Sequence, residues 1–261
     1  MKHKFLITLL LLAFINSCSK EDITNTDLDN GTDNVNITAN QKATGSSSND
    51  LLSDNIFKSM VIEVVYVEGF EPTQNTINNF KSFLEARTFK PNGITVEKRA
   101  FTPTGKTKYT IQDIITIEDA NRTKYNTNNQ IAVWAFFADG ESDKNTNNSA
   151  VLGTAYRNTS FVIFEETIKD LSNSTFEPDR SVLETTVITH EFGHILGLTN
   201  LGSDMVNDHE DSEHAKHCNV ESCLMYWSAE TGDGLSNLIG NSNAPQLDSQ
   251  CIADLQANGG K

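Results

Sequence analysis

Two histidines and a glutamate set within five residues, His190-Glu191-Phe192-Gly193-His194, constrain this chain more than any other feature of it. Residues at i and i+4 of a helix project from one face, one above the other, so both imidazoles reach a single metal ion. The glutamate beside the first histidine then stands where a carboxylate takes the proton of a metal-activated water. Five of the six histidines fall between 190 and 217, far from a random scatter. A helix must therefore run through 190–194, and its flanks suggest the ends. Ser181-Val182-Leu183-Glu184 reads as a capping box and Gly197 as a stop, which predicts a helix over 181–198.

Upstream, residues 60–67 (MVIEVVYV) form a β-branched run suited to a strand covered on both faces. Residues 73–88 carry Ile77, Phe80, Phe83 and Leu84 at helical spacing. Strand texture returns at 93–101, a helix is predicted at 110–120, and 131–137 (IAVWAFF) is a second buried strand. Shorter strands follow at 150–156 and 161–164, and a last short helix at 245–256. The order β-α-β-α-β-β-β, then the long helix, predicts an α+β domain over 58–261 with a mixed sheet and a loop-rich C-terminal part. With 261 residues and 37% apolar content, one domain of ordinary core size is affordable. A formal charge of −15 repels phosphate backbones, so nucleic acid is not an expected partner.

The first residues have a different character. Lys2 and Lys4 precede an uncharged apolar run from Phe5 to Ile15, too short to span a bilayer that needs about 20 residues. The run ends in Ile15-Asn16-Ser17-Cys18, which resembles the lipobox of bacterial lipoproteins. That resemblance implies a signal peptide over 1–17 and lipidation of Cys18, anchoring the protein to a membrane of the cell envelope. Ser19-Lys20-Glu21-Asp22 is similar to the surface-export signal of Bacteroidetes-type lipoproteins, which implies exposure on the outer membrane. Residues 18–57 are rich in Asn, Asp, Thr, Ser and Gly, and are expected to be a disordered tether.

Gly197 completes His-Glu-x-x-His-x-x-Gly, which resembles the metzincin clan of zinc metallopeptidases. In that clan a third His or Asp lies three residues after the Gly; here the position holds Asn200, a poor zinc ligand. The resemblance resumes at His217-Cys218-x4-Cys223-x-Met225, the arrangement of archaemetzincins, and Met225-Tyr226 looks like a matrixin Met-turn. This implies a zincin with a twisted mixed sheet, a backing helix, a long active-site helix and a Met-turn. It also implies one catalytic Zn²⁺ on His190, His194 and His217, with residues 199–216 as an insertion, Glu191 as general base, Met225 as the floor and a polypeptide as substrate. Zinc lowers the pKa of bound water to about 7, which Glu191 would exploit. His214 and His209 are the alternative third ligands. Residues 150–156 are the candidate edge strand beside the cleft, able to take a peptide by strand addition.

Two other readings of these residues stand beside this one: a gluzincin-type site with Glu213 as third ligand, and a non-catalytic surface binding module on a peptidase scaffold. An intact Glu191 argues against the second. The acidic residues of the 199–216 loop (Asp204, Asp208, Glu210, Asp211 and Glu213) lack EF-hand spacing, so a solvated loop is expected rather than a calcium site. Archaemetzincins hold a second, structural zinc with four cysteines, but the closing Cys-x-x-Cys is missing here. Outside the cytoplasm a disulfide is then expected, with Cys218 pairing with Cys223 and Cys251 left over.

Overall fold

The β-branched and aromatic runs build the centre of the molecule. A computed structural model describes residues 37–261; the predicted signal peptide and Cys18 lie outside them. Strand β1 (Ser59–Val67) has parallel neighbours on both sides, β2 (Ile94–Phe101) and β4 (Gln130–Phe137). Strand β7 (Ser160–Ile163) adds to β4 in parallel, and β6 (Gly153–Arg157) closes the edge antiparallel to β7, giving the order β2-β1-β4-β7-β6. Two short strands, β3 (Lys108–Tyr109) and β5 (Glu141–Ser142), pair apart from this sheet.

Alternation along β4 divides the core. Val133, Ala135 and Phe137 pack with helices α2 (Gln74–Arg87) and α5 (Arg180–Ile195), while Trp134, Phe136 and Ala138 join a second cluster containing Ile114 of α3 (Ile111–Asn121). Phe80 of α2, Phe161 of β7 and Phe192 of α5 meet edge to face, with centroids 5.2–6.2 Å apart, and so fix α5 beneath the sheet. The connecting elements are α1 (Ser48–Leu52), α4 (Glu165–Asp170), α6 (Leu235–Leu238) and α7 (Ser249–Ala257). Among the described residues no helix is long and apolar enough to cross a membrane.

Two expectations need correction. The α5 cap is Asp179, whose carboxylate accepts from the backbone N–H groups of Ser181 and Val182. Glu184 is engaged elsewhere: it accepts from Thr73 and Thr76 at the start of α2 and pairs with Arg180. The capping box that does form is Thr110–Asp113 on α3.

The second correction concerns the tether, because residues 37–57 are part of the domain. Asn40 is fully buried and bonds Asn126, the Ala132 carbonyl and Thr159, while Leu51 and Leu52 lie in the main core. Side-chain amides and hydroxyls, not apolar bulk, satisfy most of this segment, so its composition reads as linker although its bonds are those of a folded strap.

Candidate metal centre and cleft

Helix α5 is buried from Val182 to Ile195, and its polar residues are accommodated locally. Thr186 and Thr189 donate their hydroxyls back to the carbonyls of Val182 and Thr185. The helix ends where expected: Gly197 has φ +89°, and a Cβ there would stand 2.4 Å from the backbone nitrogen of Ser203. The chain then leaves on an excursion closed at its base, with the Thr199 amide donating to the Lys216 carbonyl. The next residue, His217, is thereby delivered to the helix.

His190, His194 and His217 converge with Glu230, their candidate ligand atoms all within 4.8 Å of one another. The Nε2 atoms of His190 and His194 are 3.2 Å apart. Each Nδ1 faces a backbone carbonyl: Leu224 for His190 at 2.7 Å, Leu198 for His194 at 3.1 Å, and Ala215 for His217 at 3.1 Å. A carbonyl only accepts, so Nδ1 carries a proton in each ring, and Nε2 is the nitrogen turned towards the other imidazoles. Burial pushes His194 down to about 4, so its ring is neutral at neutral pH. Three imidazoles turned to one point, with the His190 and His194 Nε2 atoms about a tetrahedral edge apart, fit a zinc-type ion.

His209 and His214 are placed elsewhere. His209 is buried against Asp254 at 2.7 Å and Cys218, and His214 stacks on Trp227 with ring centroids 4.3 Å apart. Glu213 is exposed and outside the group. Glu210 and Asp211 accept from amides and side chains of their own loop.

Glu191 lies under the edge strand. Its Oε2 accepts the Ala155 amide of β6 at 2.7 Å, and its buried Oε1 has no hydrogen-bond partner among the described residues. Burial raises this carboxyl well above the usual carboxylate range, helped by the charge of Glu230 and opposed by the Ala155 N–H. Met225 packs beneath: a Cβ on Gly193 would stand 2.3 Å from its sulfur, so the glycine inside the motif admits the thioether. A cleft of about 340 Å³ opens over the group, lined by Thr44, Ala155, Glu191, His194, His217 and Glu230.

Glu230 was not foreseen. It follows the Met-turn in a short 3-10 turn (Trp227–Glu230), and no spacing rule marks it.

The cysteines also depart from expectation. Cys218, Cys223 and Cys251 are free thiols gathered with Asp248, so the Cys218–Cys223 disulfide is not formed. Asp248 caps α7, accepting the Cys251 amide at 2.8 Å, and its other oxygen lies 3.7 Å from the Cys218 sulfur. Hydrogen bonds from the other two thiols hold Cys223 below the ordinary thiol range. Asp248 thus brings a fourth oxygen or sulfur atom to the three thiols, a group that could hold a metal ion.

No protein-family model matches the sequence, and no curated protein matches it. Among solved structures the chain is similar to an archaemetzincin (amzA) from Methanopyrus kandleri, with TM-score 0.50 and 17% identity over 77% of this chain and 96% of that one. A zinc-dependent peptidase from Methanocorpusculum labreanum (strain Z) matches at TM-score 0.45 and 12% identity, over 74% of this chain and 99% of that one. Metalloproteinase-II from Bacteroides fragilis matches at TM-score 0.39 and 12% identity, over 88% and 58%. The first of these likenesses establishes the fold as archaemetzincin-like.

Proposed function

We propose that the chain is an extracytoplasmic zinc-dependent endopeptidase. The observation that carries the reading is the convergence of three buried histidine Nε2 atoms beside a carboxylate with one oxygen that has no hydrogen-bond partner among the described residues. His190, His194 and His217 would hold the ion. When bound there, zinc supplies a Lewis acid and makes hydroxide available near neutral pH. Glu191 is fixed through Oε2 by the Ala155 amide, which leaves Oε1 to take the proton of the attacking water and return it to the leaving amine. Strand β6 is a sheet edge and offers backbone groups to an extended peptide lying along the cleft. The second group, Cys218, Cys223, Cys251 and Asp248, is proposed as a structural zinc site joining the loop after α5 to α7. The apolar run before Cys18 supports lipid anchoring in a bacterial envelope, which mass spectrometry of the mature N-terminus tests.

Casein or gelatin cleavage, with and without a chelator, tests the activity. Glu191→Ala is expected to keep its zinc and lose cleavage, and His190→Ala to lose the metal. A Glu191→Ala protein that still cleaves removes the general-base assignment. A zinc-loaded wild type that cleaves neither protein favours a binding module.

A further inference from the structure

Glu230 stands in an unusual relation to the three histidines. Its Oε2 is 3.6 Å from the Nε2 of His190 and 3.8 Å from that of His194, and its Oε1 is 3.4 Å from that of His217. Charge-assisted hydrogen bonds run at about 2.7–2.9 Å. The chain reaches that distance where histidine and carboxylate pair directly, as His209 and Asp254 do at 2.7 Å. Glu230 therefore stands off all three rings at once. Ligands bound tetrahedrally at roughly 2.0–2.1 Å from one ion are about 3.3–3.4 Å from each other. With one oxygen facing His190 and His194 and the other facing His217, the carboxylate lies over the position a fourth ligand would take.

We propose that Glu230 is a fourth protein ligand that closes the zinc centre at rest, so that the site is latent until this side chain is displaced. The inference rests on the zinc-peptidase reading and adds a regulatory state to it. Catalytic zinc sites keep one position open, whereas four protein ligands make a closed site of the structural kind. The backbone holds the closing residue in register. The Glu230 carbonyl accepts the Leu152 amide at 2.9 Å, Gly232 donates to the Ala150 carbonyl at 2.9 Å, and Thr231 bridges Val151. These bonds tie the segment after the Met-turn to the stretch that leads into β6. The side chain itself is 29% exposed at the cleft, so it can leave by rotation without breaking that ladder. Opening then consists of one ligand exchange, carboxylate for water or for an incoming metal-binding group.

The experiment compares zinc-loaded wild type with Glu230→Gln, which keeps the side-chain volume, and Glu230→Ala. Zinc affinity is read by competition with a chromophoric chelator, acetohydroxamate binding by calorimetry, and turnover on casein. Circular dichroism and thermal melting serve as folding controls. Both variants should bind zinc roughly tenfold or more weakly, since even outer partners of a site are worth 10–100-fold. Both should bind acetohydroxamate more tightly than wild type, because its carboxylate no longer competes, and casein turnover should rise. A folded Glu230→Gln protein that binds zinc and acetohydroxamate as wild type does overturns the proposal. So does a fall in turnover with both affinities unchanged, which would make Glu230 a substrate-positioning residue. If no protein cleaves casein but both affinities shift as expected, the closing ligand stands and the peptidase reading fails.

Discussion

Gly153→Ala probes the contact between the edge strand and Glu191, the proposed general base. A Cβ at position 153 would stand 2.8 Å from Glu191 Cγ, 2.8 Å from Val187 Cγ1 and 2.9 Å from Glu191 Oε1. Carbon pairs settle at about 3.5–4.0 Å, so β6 and α5 must separate by roughly 0.7–1.2 Å, or the Glu191 side chain must move by as much. Val187 and Glu191 are both buried, which leaves little room for a cheap rearrangement. Overpacking of this size costs about 1–3 kcal/mol, against a gain of roughly 0.5–1 kcal/mol from replacing a strand glycine, so net destabilisation of up to about 2.5 kcal/mol is expected. Catalysis should suffer more, because a 1 Å misplacement in a reacting constellation costs on the order of 100-fold. The assay is kcat/KM on a quenched peptide, with zinc content and a urea unfolding curve measured on the same preparation. Zinc content should not change, since no histidine is touched. Val187→Ala in the same chain removes one of the two crowded groups and should recover part of the lost stability. A Gly153→Ala enzyme with kcat/KM and stability near wild type would refute the packing of β6 on Glu191 as the determinant of its position.

Three further outcomes are expected. His217→Ala should lower zinc affinity by at least roughly 10–100-fold, while His214→Ala, which breaks only the stack on Trp227, should leave it unchanged; chelator competition separates them. The fully loaded protein should hold about two zinc ions, and Cys251→Ser should reduce this to about one with the cleft histidines still loaded, as read by metal analysis. Rapid labelling of all three thiols in the loaded wild type would contradict the second site. Burial, and next the charge of Glu184, push the Glu165 carboxyl up to about 9 from 4.5; its neutral form is favoured in the fold, so this contribution to stability is present below pH 4.5 and is lost as pH rises towards 9. Glu165→Gln should remove that decline, and urea midpoints at pH 5, 7 and 8.5 measure it.

What the sequence disclosed follows the range of the forces involved. Strands β1 and β4 were legible because a sheet covered on both faces calls for nearly continuous apolar runs, which in β1 only Glu63 interrupts. The His190–His194 pair was legible because helix geometry alone fixes it. The strap at 37–57 was not, since its anchors are Asn40 and Asn158 amides whose partners lie about a hundred residues away. Asp248 was missed as a candidate ligand because an aspartate before a helix reads first as a cap, and here it also faces Cys218. Glu230 carries no local signal at all: its position depends on a ladder between 150–152 and 230–232, and only the assembled sheet brings those stretches together.

The choice of His217 over His214 shows how the ends of a long loop place a candidate ligand. The excursion after α5 is tied at three levels: Thr199 to Lys216 at its base, Glu210 to Lys216 within it, and Glu210 to Cys218 by a backbone bridge. His209 strengthens the tie by reaching both Asp254 of α7 and the Cys218 sulfur. On the far side the Cys218 amide donates to the Met225 carbonyl, so the residue before Cys218 is held one step from the Met-turn that underlies the helix. Only His217 lies between these two anchors. His214 is three residues out, on the turn that Asp211 caps, where its ring stacks on Trp227 and not with His190 and His194. The proposed third ligand is thus placed by the hydrogen bonds of the residues on either side of it. Substitutions at Glu210 or Lys216 should therefore loosen zinc binding without touching a ligand, and unchanged affinity in Glu210→Ala would show that the Met-turn bond alone suffices.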